Sequence, residues 1–336
     1  MVAKSEVLVD ARWLGTHGIG RFTAELLARF PPVDLLRDTT RPASPVDPLR
    51  LWWILKRRRP GVFFSPGYNA PLRSPVPFVF TIHDLIHIRF PGETTAAKRA
   101  YYRIFVRRAA LRAACVLTVS EFSRQEIVAW TGVDATRVVL APPAASAAFA
   151  PEGGRREPGY PYLLYVGNRK PHKNLRRCFQ AIAQASLPRT MRLVMSGAAD
   201  AATVAQARLA GIAERLVFTG WVDDPTLAAW YRGATALVIP SLYEGFGLPA
   251  LEAMASGTPV VASRTAALPE VVGDAAVMVD PLDVGSIAQG IERVVHGSDL
   301  REQLRQRGLA RAALFDWNPT AGRIWEILSR AGAEHD

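Results

Sequence analysis
Two α/β domains, each a parallel sheet with helices on both faces, are what the sequence predicts. Short, continuous apolar runs alternate with amphipathic segments along most of the chain, and strands buried on both faces read that way. The alternation is interrupted at 142–161 by a stretch rich in Pro, Ala, Gly and charge, which reads as an interdomain linker. With 336 residues, 49% of them hydrophobic, two cores of ordinary size can be filled.

The first series opens with a strand over 7–10 and a helix over 19–30. Strands over 62–65, 78–82, 116–119 and 138–141 follow, with helices over 96–114 and 122–130. The segment 37–48 is Pro-rich and takes no assignment. The second series has strands over 162–166, 193–195, 216–219, 236–240, 259–262 and 277–279. Its helices lie near 175–185, 201–210 and 225–232, with another starting near Leu248. Helices over 284–296, 300–313 and 319–331 close the chain. There is no short internal repeat, only two domains of similar design. The expected boundaries are 1–150 for the first domain, 151–315 for the second, and 316–336 for a C-terminal helix packing back toward the first. Ligands of open parallel sheets bind at the carboxyl ends of the strands. Two such edges facing each other would make a cleft.

Charge is unevenly placed. Of a net +11, residues 1–150 carry 21 Lys and Arg against 11 Asp and Glu, and residues 151–336 carry 20 against 19. A basic half suggests nucleic acid, an anionic membrane surface or phosphorylated ligands. Its densest pieces are Lys56-Arg57-Arg58-Arg59 and the helix over 96–114, where Arg99, Arg103 and Arg107 follow an i, i+4 line. That helix reads either as resting on anionic lipid or as a solvated face. The basic residues are not interleaved with a regular aromatic series, which argues against nucleic acid. No run of about eighteen apolar residues is present and the N-terminus reads as a strand, so neither a membrane span nor a signal peptide is expected. A cytoplasmic chain, at most peripheral on the inner face of the membrane, follows. Cys115 and Cys178 sit in apolar settings and read as buried free thiols.

The most informative stretch is 239–263, IPSLYEGFGLPALEAMASGTPVVAS. It reads as a strand end, a Gly-rich turn, a helix and the next strand. Glu244 stands in the turn and Glu252 on the helix, with Gly245, Phe246, Gly247 and Leu248 between them. Glycines there let backbone approach a ligand, and the amides at the helix start, around 248–251, can meet an anion. The bland alternative is a buried turn with two surface glutamates. The pattern E-G-F-G-L-P-x-L-E-A-M-A-x-G-x-P-V-V resembles the donor-binding motif of the retaining nucleotide-sugar glycosyltransferases of family four. The resemblance implies the GT-B fold: two facing Rossmann-like domains with parallel sheets and an interdomain cleft.

Other strand ends carry further matches. In GTHGIGRF, Gly18 and Gly20 lead into a helix. By itself this is only a tight turn, but the resemblance places the matching turn against donor phosphates and acceptor. TIHDLIHIRFP resembles the family segment in which His83 points at the transferred sugar, the alternative being a satisfied core histidine. Ser120 reads as a helix cap. In YVGNRKPHKNL, Lys173 precedes a helix where a cation can face a phosphate. Related enzymes pair such a lysine with an arginine, and here Asn168 takes the arginine's place, leaving Arg169 as the substitute. Trp221, in TGWV, falls where the family passes the nucleotide base, and could stack there or be core.

The resemblance thus implies catalytic roles for His83, Lys173 and Glu244. Donor contacts would come from Gly18, Gly20, Arg169, Lys173, Glu244, Gly245, Phe246, Gly247, Leu248 and Glu252. Lys173, with Arg169, would stabilise charge growing on a diphosphate leaving group. Glu252 would accept from ribose hydroxyls, and Glu244 with its turn would hold sugar hydroxyls. The chain has no Asp-x-Asp, so no metal and no cofactor is expected. The segments HDLIHIRFP and YVGNRKPHKN most resemble bacterial mannosyltransferases of surface-polysaccharide assembly. The favoured substrates are GDP-mannose and a glycan or lipid-linked saccharide acceptor, followed by UDP-sugars and other GDP-hexoses. An inactive nucleotide-sugar-binding subunit is the alternative from another class.

Overall fold
The computed structural model describes residues 7–15, 17–38, 40, 42 and 44–333. They group into two compact units, Met1–Pro143 with Asp316–Asp336, and Ala144–Phe315.

In the first unit six parallel strands, β1 (Val7–Asp10), β2 (Asp34–Leu36), β3 (Val62–Ser65), β4 (Phe78–Thr81), β5 (Cys115–Thr118) and β6 (Val138–Leu140), lie in the order β2-β1-β3-β4-β5-β6. Every residue of β1, β3, β4 and β5 is buried, which accounts for their continuous apolar pattern. Phe63, Phe80 and Val116 pack with Leu51, Leu55 and Tyr102 from flanking helices. Each such large side chain contributes about 1.5–3 kcal/mol of burial free energy.

β2 and the helix after it are among the elements here that escape sequence reasoning. β2 has only three residues, one of them fully buried. Helix Asp47–Arg58 starts inside the stretch without assignment, with Pro48 in its first turn, where a missing N–H removes no helical bond. The helix expected over 96–114 runs as Ala96–Tyr101 and Arg107–Arg112, joined by a π-helical turn at Tyr102–Val106. The last helix, Trp317–Ala333, packs in this unit. Trp317 meets Phe22 edge-on at 5.7 Å, and Thr320 Oγ1 donates to the Pro142 carbonyl at 2.9 Å.

The second unit has β7 (Tyr162–Tyr165), β8 (Arg192–Met195), β9 (Leu216–Phe218), β10 (Ala236–Ile239), β11 (Val260–Ser263) and β12 (Ala276–Val279), all parallel, in the order β12-β11-β10-β7-β8-β9. The chain begins mid-sheet, works outward to β9, then returns to lay β10 beside β7, with Ala236 opposite Leu163. β7 and β10 therefore flank the point where strand order reverses, the site at which open α/β sheets leave a crevice. In the first unit the corresponding point lies between β1 and β3.

The stretch read as a linker packs instead on the second unit. Phe149 is buried 5.7 Å from the Tyr231 ring, and the Arg156 amide donates to Ala229 at 2.9 Å. Its apolar side chains have a surface to bury, which its Pro and Gly content hides. Cys115 and Cys178 are buried free thiols, pushed up by burial to about 11 and about 12. Among the described residues no helix is long and apolar enough to cross a membrane.

Candidate active site
In the second unit the loops after β7 and β10 bring Lys173 and Glu244 together. Lys173 Nζ donates to Glu244 Oε1 at 2.6 Å, and the same oxygen accepts from Ser241 Oγ at 2.7 Å. Lys173 is only 9% exposed. Its position follows from backbone locks on either side. The short helix Pro171–Lys173 ends at Asn174, which takes a left-handed φ of 60° and starts helix Leu175–Gln184. Asn174 Nδ2 donates to the carbonyls of Pro240 (3.0 Å) and Pro281 (2.7 Å), and the Leu242 amide donates to His172 O at 2.7 Å. The loop after β7 is thus fastened to those after β10 and β12. Asparagine tolerates the left-handed region, and its amide supplies two donors.

The Gly-rich turn after β10 is built around Gly247. Its φ is 107°, which favours glycine, and a Cβ there would come within 2.6 Å of Leu268 Cδ2, so that side chain would have to shift. Gly247 caps helix Leu248–Ala255 without a side-chain hydrogen bond. The run of amides expected over 248–251 is narrower than foreseen. Ala250 and Leu251 both donate back to the Gly247 carbonyl, and Pro249 has no N–H. Of the amides at 248–251, that of Leu248 remains to meet an anion. Phe246 is buried, edge-on to Phe315 at 5.6 Å; the Gly245 position lies between it and Glu244.

Glu252 is buried on the same helix, where its Oε2 accepts from the Tyr231 hydroxyl at 3.0 Å. Tyr231 comes from helix Asp224–Gly233, and no motif in the sequence pointed to it or to Ser241. Arg169 is turned elsewhere: it pairs with Asp200 at 3.2 Å, donates to Ser196 O at 3.1 Å and lies over the Phe218 ring. Asp200 is held below the usual carboxylate range by hydrogen bonds from Thr203, with the Arg169 charge adding to them. Trp221 is 91% exposed, which excludes the core alternative for it.

The remaining candidates belong to the first unit. His83, after β4, hydrogen-bonds through Nε2 to the Pro66 carbonyl at 2.8 Å and meets Phe22 edge-on at 5.0 Å. Burial pushes its imidazole down to about 4, against the opposing effect of the Pro66 bond. It is therefore neutral at pH 7, with the proton on Nε2 and Nδ1 an acceptor. Gly18 and Gly20 of GTHGIGRF differ. A Cβ on Gly20 would stand 2.2 Å from Gly15 O, whereas one on Gly18 would meet nothing within 4 Å. The helix Gly18–Leu27 they open is capped by His17, whose Nδ1 accepts from the Gly20 amide at 3.0 Å. Ser120 Oγ accepts from the Ser123 amide at 3.1 Å, the capping role expected of it.

A buried network at the β1–β3 reversal was not foreseen. Arg12 bridges Asp10 (2.7 Å) and Asp47 (2.6 Å), and Asn69 Nδ2 donates to both carboxylates. Burial would lower the Arg12 pKa, but the two carboxylates outweigh it and raise it. The sequence hides this because Asp47 reaches the site from a helix 35 residues away. Among the described residues no three His, Cys, Asp or Glu side chains gather as a metal site.

Comparison with known proteins follows the same division. Residues 9–149 match the model described as glycosyltransferase family 4, and residues 149–311 match that of glycosyl transferases group 1. The chain is 34% identical over 288 residues to the O-antigen chain mannosyltransferase B of Escherichia coli, covering 80% of this chain and 74% of that one. It is 28% identical to the serotype-specific mannosyltransferase WbdA of Escherichia coli, of whose length it spans 34%. Among solved structures, Anabaena Alr3699/HepE in complex with UDP-glucose superposes with a TM-score of 0.76 at 17% identity, over 97% of this chain and all of that one.

Proposed function
Because this chain belongs to the GT-B glycosyltransferases of group 1 and family 4, with mannosyltransferases among its relatives, we propose that it transfers mannose from GDP-mannose to a glycan or lipid-linked saccharide. The product would belong to cell-surface polysaccharide. The observation that carries this reading is the Lys173–Glu244 pair at the β7–β10 reversal, 2.6 Å apart and mostly shielded from water. Such a crevice suits a nucleotide ligand, and the pair offers a cation for phosphate beside a carboxylate for sugar hydroxyls.

In the reaction the bond from C1 of the sugar to the diphosphate oxygen breaks, and an acceptor oxygen bonds C1 on the same face, so configuration is retained. The acceptor's proton passes to the departing phosphate oxygen. Lys173 and the Leu248 amide stabilise the charge that grows there, the electrostatic term that usually matters most. Lys173 shares its ammonium with Glu244 before the donor arrives, and Ser241 holds that carboxylate in place as the phosphate takes up the cation. Glu252, with Tyr231 beside it, meets the ribose hydroxyls. His83, neutral, accepts a hydrogen bond through Nδ1 from a hydroxyl of the transferred sugar. Arg169 stays with Asp200, and Lys173 carries the cationic role. With no Asp-x-Asp in the chain, the lysine takes the place of a metal clamp.

A thermal-shift screen of nucleotide sugars tests the donor. A ligand at a hundred times its Kd adds about 2.7 kcal/mol of stability, an ample shift in melting temperature. GDP-mannose should give the largest shift and support transfer to a mannose-terminated acceptor. A larger shift with a UDP-sugar, and transfer from it alone, would overturn the choice of donor. Binding without transfer to any acceptor would favour an inactive subunit.

A further inference from the structure
The first unit carries an exposed apolar surface ringed by arginine and lysine that no step of sugar transfer uses. Three segments meet on it. Val46, which caps helix Asp47–Arg58, follows one stripe at helical spacing with Leu49 and Trp53 inside it, opposite the buried Leu51 and Leu55. They are 64, 53 and 52% exposed. The loop residue Leu72 joins this helix, its amide donating to the Pro48 carbonyl at 2.8 Å. The Leu72 carbonyl in turn accepts from Arg112 Nη1 at 3.1 Å, which ties the loop to helix Arg107–Arg112. Leu111 on that helix and Ile104 in the π-helical turn before it are again exposed. A hollow of about 270 Å³ lies between loop and helix, with Leu72, Ile104 and Phe105 on its wall and Arg73, Arg108 and Arg112 at its margin.

The charges on these segments are of one sign. Arg73, Arg103, Arg107, Arg108 and Arg112 are all exposed, as are Lys56 to Arg59 at the end of the first helix, whereas Arg50 is paired with Asp38. The acidic residue of the three segments, Asp47, is fully buried against Arg12. Two cations lie over indoles, Lys56 over Trp52 at 5.5 Å and Arg57 over Trp53 at 4.6 Å. Tryptophan flanked by basic side chains and aliphatic residues is suited to the boundary between headgroups and acyl chains.

We infer that this face docks on the surface of an anionic bilayer, with Val46, Leu49, Trp53, Leu72, Ile104 and Leu111 entering the acyl boundary and the arginines meeting lipid phosphates. A nucleic acid would satisfy the charge but would leave the aliphatic side chains in water. Docking is independent of which sugar is transferred. It would set the enzyme beside a lipid-linked acceptor.

The test is cosedimentation of the full chain with vesicles of phosphatidylcholine, alone or with one third phosphatidylglycerol. Binding should require the anionic lipid. Arg107→Glu with Arg108→Glu should weaken it by more than about thirtyfold, since each basic residue near such a surface is worth roughly fivefold. Leu49→Ala with Trp53→Ala should weaken it at least about tenfold. All four positions are exposed, so circular dichroism and melting temperature should stay near those of the parent. Sugar transfer to a soluble acceptor should also be unchanged. Equal binding to both vesicle types, or none to either, refutes the inference. So does anionic binding that the Leu49/Trp53 pair leaves untouched, or that duplex DNA displaces at equal phosphate concentration, because the face would then read charge alone.

Discussion

Lys173 is the side chain on which the leaving-group argument turns. If its ammonium meets charge that grows during bond cleavage, its loss is felt more in the transition state than in the ground state. Lys173→Ala should lower kcat about a hundredfold, the scale for one preorganised partner of a developing oxyanion. Lys173→Arg should recover only part, because a planar fork does not replace a point charge in a fitted site. Single-turnover rates on folded protein check this, and near-normal turnover would contradict the role. The contact proposed for Glu252 is to ribose hydroxyls, which would be held equally before and during reaction. Glu252→Ala should raise donor KM more than it lowers kcat, and Tyr231→Phe should show the same pattern more weakly. A collapse of kcat at constant KM would place Glu252 in the chemistry instead.

At the scale of elements, the structure separates two glycines that the sequence presents as equals. Gly20→Ala drives a Cβ to 2.2 Å from the Gly15 carbonyl, backbone against backbone, with no flexible atom to give way. It should cost about 1–3 kcal/mol, the range of overpacking, and lower the melting temperature by several degrees. Gly18→Ala points into open space at the first helical position and should keep or slightly raise stability. Melting curves of the two variants decide. Equal destabilisation would mean that Gly15 does not pack against Gly20 as described. The pattern G-x-G shows two small residues; which of them is sterically required depends on where residue 15 returns.

For the whole molecule, the absence of Asp-x-Asp leads to the expectation that transfer persists in excess EDTA. A loss on chelation that Mg²⁺ or Mn²⁺ restores would show that a metal, not Lys173, neutralises the diphosphate. Assays should span low and moderate salt, since the surplus charge of residues 1–150 acts at long range only below about 0.15 M.

Much was determined by sequence alone. Continuous apolar strands alternating with helices were enough for two parallel sheets, because burial on both faces leaves that mark locally. The stretch 239–263 was enough for the family, and Lys173, Glu244 and Glu252 stood in it or in the matching loop after β7. What tertiary structure decided were the partners. Tyr231 and the Asn174 amide gain their roles only when elements distant in sequence meet, and Ser241 only when its own turn folds back on Glu244; a serine or tyrosine without a neighbour carries no signal. Arg169, read from sequence as a phosphate cation, pairs with Asp200, 31 positions further on, a partner that no local pattern indicates. Helix Asp47–Arg58 was hidden because a proline read as a breaker also begins helices. With it were hidden the buried bridge from Asp47 to Arg12 and the exposed stripe on its other side. Periodicity follows from how each residue meets its own element, whereas a site is made of contacts between elements, and those depend on strand order that no local pattern records.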